Sequence, residues 1–182
     1  MEEIGGRRAM LCFPQMATKA QITAEQYLHM TFEHDAEFVR GELVERAMQN
    51  YFYGRIETLL SSLFEALRSP YRLYACSSVR MRLAPDLYRI PGIAAFVTPP
   101  DGVVPHEPPL VVVEILSPDD RYYDLMQKLE EYRVWGVTNV WVVDPLAKRL
   151  ALYTPSGIQY VSSLALADYP FELTPGILFS DL

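Results

Sequence analysis

The chain has 182 residues, half of them hydrophobic and 12% aromatic, with a formal net charge of −7. That suits one domain with its own core and is short for two, and the acidic balance argues against a protein that coats nucleic acid through a basic surface. The longest apolar stretches, "PLVVVEIL" and "NVWVVDP", are strand-length and interrupted by charge, far short of the roughly twenty residues a membrane-spanning helix needs, so no membrane crossing is expected.

Residues 1–19 read as a flexible leader, with Met10 or Met16 as alternative starts, because "MEEIGGRRAMLCFPQMATKAQ" has an arginine pair but no apolar core of signal-peptide length. Cys12 and Cys76 lie far apart and in no metal-ligand spacing, which points to ordinary thiols and a cytoplasmic protein. A single domain is expected over 20–182. Thr23 caps a helix over 24–32, and "EFVRGELVE" makes a hairpin about an Arg40-Gly41 turn. "YFYGRIETLLSSLFEALRS" places Ile56, Leu59, Leu60, Leu63, Phe64 and Leu67 on one stripe of a second helix, stopped by Pro70.

"YRLYA" and "SVRMRLA" follow as strands, the second alternating Val79, Met81 and Leu83 with Arg80 and Arg82 on a wet face. "YRIPGIAAF" reads as a buried strand entered through a proline. After a proline-rich loop come the strand "LVVVEILS", a third helix "DDRYYDLMQKLEEYRVWG" closed by Gly136, and the strands "NVWVVD", "RLALYTP" and "IQYVSS". Helices flanking such strands make an α/β or α+β domain with a central mixed β-sheet, preceded by an N-terminal helix and hairpin.

Glu114 is the most informative residue. Val111, Val113 and Ile115 line one face of its strand and Val112, Glu114 and Leu116 the other, so a glutamate sits mid-strand in a sheet covered on both sides. An unpaired buried carboxylate is costly, so Glu114 must be paired with an arginine such as Arg89 or Arg82, protonated, or bound to a metal. Lys128 lies four residues after Asp124, a spacing that fits a surface ion pair of about 0.3–0.5 kcal/mol. Glu37, in "EHDAEFVRGELVE", fits one more acid of a solvated run. Between Arg68 and Arg89 five arginines (Arg68, Arg72, Arg80, Arg82 and Arg89) face Asp86 alone, the one stretch suited to phosphate. His29, His34 and His106 show no paired-ligand spacing, and no nucleotide-binding glycine loop or Ser-His-Asp arrangement supports a small-molecule enzyme.

Three segments, "AEFVRGELVE", "RIPGIAAF" and "PLVVVEILSPDDRYYDLMQKLEEYRVWGVTNVWVVDP", resemble the successive signatures of the Uma-type restriction endonucleases. These are bacterial proteins of the PD-(D/E)XK nuclease superfamily, formerly a domain of unknown function. The resemblance runs from about Ala20 to the C-terminus. Its most specific part sets Glu114, Ser117, Asp124, Lys128, Tyr132, Gly136, Trp141 and Asp144-Pro145 at the family's spacing.

The resemblance implies a restriction-endonuclease-like core whose acidic cluster binds Mg²⁺ or Mn²⁺ for attack of water on DNA phosphodiesters. Carried over, Glu37 and Glu114 are metal ligands and catalytic residues, Lys128 is the catalytic lysine moved onto the helix, and Ser117 and Asp124 line the site. The family's aspartate after proline falls on Gly92, which offers no carboxylate, so metal binding and catalysis should fall severely unless Asp86 or Asp101, or His106 or Glu107, substitutes. Tyr53 stands where a histidine is often found. Arg80 and Arg82, with Arg72 and Arg89 nearby, would position DNA by its backbone, and an edge strand near the C-terminus would suit a homodimer. Two functions follow: a metal-dependent DNA endonuclease with a compromised site, or a nuclease-fold protein without catalysis that acts as a DNA-binding, dimerising or regulatory partner.

Overall fold

A computed structural model describes residues 22–32, 35–46, 49–180 and 182; the expected leader over 1–19, Cys12 and His34 lie outside the described residues. Helix α1 (Ala24–His29) starts in a capping box, with Thr23 and Gln26 each satisfying the other's backbone N–H. It ends at His29, three residues before the expected Phe32. Tyr27 is its one buried residue, and Met30 and Thr31 face water, so no apolar face remains to hold another turn. Strands β1 (Ala36–Val39) and β2 (Glu42–Glu45) form the expected hairpin, with Arg40 and Gly41 at φ of 51° and 92° as a two-residue primed turn requires.

Helix α2 (Tyr51–Glu65), capped by Asn50, buries Tyr53, Ile56, Leu60 and Phe64. Pro70 does not stop it. The helix closes at Glu65, and Pro70 lies within a separate short helix α3 (Arg68–Tyr71), where an early-turn proline gives up an N–H that has no helical partner. Strands β3 (Tyr74–Ser77), β4 (Met81–Ala84), β5 (Leu87–Arg89) and β6 (Ile93–Phe96) follow. "YRIPGIAAF" is therefore two strands in two sheets. Pro91, which has no N–H to give a ladder, marks the crossing.

The remaining elements are β7 (Val111–Ile115), α4 (Tyr122–Trp135), β8 (Asn139–Asp144), β9 (Arg149–Thr154), β10 (Gly157–Val161), β11 (Leu164–Leu166), β12 (Phe171–Leu173) and α5 (Pro175–Leu178). The central sheet has the order β10-β9-β8-β7-β6-β3 and is mixed, with β7 and β8 parallel across the α4 connection and the other pairs antiparallel. A second sheet, β2-β1-β5-β4, carries the N-terminal hairpin. This is the α+β architecture expected, with a C-terminal β11-β12 hairpin and α5 added.

Both faces of β7 are covered, as its apolar run predicts. Val111, Val113 and Ile115 pack with α2, while Val112 packs with Leu129 and Tyr132 of α4. The first layer is centred on Phe64, whose ring lies 4.7 Å from Phe171 and 6.1 Å from Trp141. Phe64→Ala should cost about 3–5 kcal/mol in chemical denaturation. A loss below about 1 kcal/mol would mean that α2 does not anchor this layer.

Candidate functional site

Three elements bring charge to one place. Glu37 projects from β1, between β2 and β5, and is 3% exposed, so it belongs to the interior and not to a solvated acidic run. Glu114 projects from β7 at 7% exposure. Lys128 comes from α4 and turns inward, away from the surface pairing its spacing to Asp124 suggests. Its Nζ lies 2.8 Å from Glu37 Oε1 and 2.9 Å from Glu114 Oε1, and donates to the Ile90 carbonyl at 3.0 Å. Three acceptors match the three hydrogens of the ammonium.

A second layer fixes Glu37. Its Oε1 accepts from the Ile90 N–H at 2.7 Å and its Oε2 from Arg89 Nη1 at 2.7 Å. Arg89 is thus the partner of Glu37, not of Glu114. It is 4% exposed and also pairs with Glu131 of α4 at 2.6 Å, which removes it from any outward DNA-contacting face. Glu131 in turn accepts from Arg40, at the hairpin turn, and from Gln127, each at 2.9 Å. Glu114 receives less, namely Lys128 and the Tyr132 hydroxyl at 2.9 Å.

That difference in donors separates the two carboxyls. Burial pushes Glu37 up, but the charges of Lys128 and Arg89, with the Lys128 and Ile90 hydrogen bonds, outweigh it and leave its pKa below the usual range. For Glu114 burial prevails over the attraction of Lys128, and the negative charge of Glu37 adds to it, so its pKa is raised. The surroundings thus favour the charged form of Glu37 and the neutral form of Glu114.

Gly92 lies beside this cluster, and the space in front of it is filled. A Cβ built on Gly92 would stand 3.1 Å from the Tyr53 hydroxyl, 3.1 Å from the Val113 carbonyl and 3.3 Å from Ile115 Cδ1. The Tyr53 hydroxyl accepts from Arg46 Nη2 at 3.1 Å, and burial raises the tyrosine's pKa. Glu37, Glu114, Lys128, Tyr53 and Arg46 share a cleft of about 470 Å³. Ser117 and Asp124 line it as expected, and Ser117 Oγ is buried without a hydrogen-bond partner. Glu45, Asp119 and Asp120 line it as well, so that with Glu37, Glu114 and Asp124 six carboxyl groups face the four cationic side chains Arg46, Arg89, Arg121 and Lys128.

None of the proposed substitutes reaches Gly92. Asp101, His106 and Glu107 border a separate hollow of about 80 Å³ at Phe96, the opposite end of β6. Asp86 sits exposed in the turn before β5, where its carbonyl accepts from the Arg40 N–H. Arg80 is not on a wet face either, since its guanidinium lies 4.4 Å from the centre of the Tyr27 ring; Arg82 and Arg72 are exposed, and neither lines the cleft. Among the described residues no group of three or more His, Cys, Asp or Glu side chains could hold a metal ion. With Gly92 giving no carboxylate and both glutamates bound by Lys128, these residues do not fit Mg²⁺ or Mn²⁺, which need several oxygen ligands.

Sequence reasoning did not find Arg40, Arg46 or Glu131. For Glu131 a signal existed: it lies three residues after Lys128, on the same face of α4.

Replacing Lys128 by Met leaves two buried carboxylates without their shared cation. The expected loss is about 3–5 kcal/mol at neutral pH. With the cation gone, both folded-state pKa values rise, so the folded form gains protons first and the loss shrinks as pH falls from about 8 to about 5. Denaturation at both pH values checks this, and an equal loss at each would contradict it. In the unaltered protein Glu37, with its depressed pKa, contributes stability that is complete above the ordinary carboxylate value of 4.5 and is lost as pH falls below it; Glu114, with its raised pKa, works in the opposite sense.

The comparisons with known proteins agree with this architecture. A solved structure from Anabaena variabilis ATCC 29413, described as "a putative nuclease belonging to DUF820", superposes with a TM-score of 0.75 at 21% identity, covering 87% of this chain and 98% of that one. A search of curated proteins finds no match. No helix among the described residues is long and apolar enough to cross a membrane. The model of the Uma2 family, described as "Putative restriction endonuclease", matches residues 24–175, and the chain belongs to that family.

Proposed function

We propose that this chain is a nuclease-family protein that does not hydrolyse phosphodiesters itself and acts at DNA as a binding or dimerising partner. The observation that carries this reading is the place beside Glu114 that lacks a carboxylate. Gly92 stands there, and a tyrosine hydroxyl fills the space in front of it. The family's chemistry needs a hard divalent ion, and hard ions need converging anionic oxygens. Here the oxygens of Glu37 and Glu114 are satisfied by Lys128 and Arg89, in a neutral set completed by Glu131 and Arg40. Such a set holds shape and leaves no anionic ligand in excess.

In this reading residues 20–182 act as one domain in the cytoplasm, where DNA is met. Exposed arginines, Arg82 on β4 and Arg121 at the cleft, contact phosphates and position the duplex without reading sequence. An edge strand, β10, is available for pairing with a second copy.

A second reading, an endonuclease that uses Mg²⁺ or Mn²⁺, is favoured by one observation. Glu37 Oε1, Glu114 Oε1 and the Ile90 carbonyl all point at the position of Lys128 Nζ, from 2.8 to 3.0 Å, so three oxygens already converge there and would have to close to about 2.0–2.1 Å on an Mg²⁺ that displaced the ammonium. The two readings separate in a plasmid-nicking assay paired with Mn²⁺ calorimetry. The first predicts no nicking by the unaltered chain and no Mn²⁺ binding in the micromolar range; nicking that Lys128→Ala abolishes would establish the second. For DNA contact, Arg82→Ala with Arg121→Ala should reduce the slope of log affinity against log salt by about 2, since each lost phosphate contact removes roughly 0.9. An unchanged slope would dismiss both arginines.

A further inference from the structure

Gly92 and Tyr53 are 39 positions apart in sequence and touch in space. We infer that they form one compensated unit: the Tyr53 hydroxyl, tethered by Arg46, occupies the position in front of Gly92, so that a hydroxyl–guanidinium pair faces Glu114 and the cleft excludes divalent cations. The inference rests on the non-hydrolysing reading and adds its physical cause. A cation site lost through a missing carboxylate alone would be regained by restoring that carboxylate; a place taken by another side chain would not.

The contacts argue for the second case. Tyr53 is 6% exposed and belongs to the α2 core layer with Ile56, Ile93 and Ile115, so its ring cannot swing out freely. Its hydroxyl, 3.1 Å from the built Cβ, would have to retreat by a few tenths of an ångström. Arg46 resists that retreat. Its Nη2 donates to the hydroxyl at 3.1 Å, while its Nη1 reaches Asp35 Oδ2 at 3.4 Å and Ser78 Oγ at 3.5 Å. Ser78 is tied to the same place twice, since its N–H donates to the Gly92 carbonyl at 2.9 Å and its hydroxyl to Glu57 at 2.9 Å. The Val113 carbonyl, 3.1 Å from the built Cβ on the far side, belongs to the β7 ladder and cannot yield as a side chain tip does. Arg46 also brings a positive charge beside Glu114 and Glu37, where a divalent ion would need a negative one.

A double-mutant cycle on the whole chain tests the steric part. Gly92→Ala adds only the Cβ. It should lower the melting temperature by on the order of 5 °C in the Tyr53 protein and by less than half as much in the Tyr53→Phe background, where the hydroxyl is gone. Equal shifts in the two backgrounds would overturn the inference. Mn²⁺ calorimetry tests the consequence: Gly92→Asp with Tyr53→Phe should bind Mn²⁺ at least roughly tenfold more tightly than Gly92→Asp alone, a difference of about 1.4 kcal/mol. Equal affinities would overturn it as well. Failure of the underlying reading shows elsewhere, as Mn²⁺-dependent nicking by the unaltered chain, so the two failures are told apart.

Discussion

One ammonium group ties the molecule together where its two larger sheets meet. Lys128 of α4 reaches Glu37 on the smaller sheet, Glu114 on the larger one and the Ile90 carbonyl in the crossing between them. Glu114 depends on it most, because among the described residues Lys128 is its one cationic partner there while Glu37 also has Arg89, and a carboxylate in such a place must be paired or neutral. The position of α4 therefore fixes the site as much as the strands do. Its parallel β7–α4–β8 connection brings Lys128, Glu131 and Tyr132 to one side of the helix, and each finds a charged or polar partner on another element.

The charges form a chain with a direction. Arg40 at the hairpin turn holds Glu131, Glu131 holds Arg89, Arg89 holds Glu37, and Glu37 shares Lys128 with Glu114. Ionisation is unequal along it, with Glu37 held charged by three donors and Glu114 left easier to protonate. Buried networks of this kind specify geometry more than they add stability, since the desolvation of each ion offsets much of its attraction. The cluster accordingly sets the relation of hairpin, helix and sheet, and the aromatic layer of Phe64, Trp141 and Phe171 on the other face of the central sheet supplies apolar burial.

Much of the fold was legible because local chemistry and tertiary structure agree. The doubly apolar run of β7, the Arg40-Gly41 turn, the Thr23 cap and Gly136 at φ of 113° each require what their residues supply. Glu114 was legible for the opposite reason, as an acid where burial was certain. Glu37 and Lys128 were not legible from pattern, since each has an ordinary surface explanation and only the family resemblance singled them out. The network around them depends on contacts between distant elements. Nothing near Arg89 in sequence points to Glu131, and nothing near Gly92 points to Tyr53. The stretch "YRIPGIAAF" is the instructive miss: its apolar content is continuous, but Pro91 and Gly92 move the chain from one sheet to the other, and the site is built on that crossing.

The central claim is that the chain's own cations hold the place a divalent ion would take. Anomalous diffraction from crystals soaked in Mn²⁺ tests it most directly, because it locates the ion independently of any activity. The account predicts no manganese peak between Glu37 and Glu114, with Lys128 Nζ still within hydrogen-bond reach of both and the Tyr53 hydroxyl still in front of Gly92. A manganese peak bridging the two glutamates, with Lys128 displaced, would contradict it.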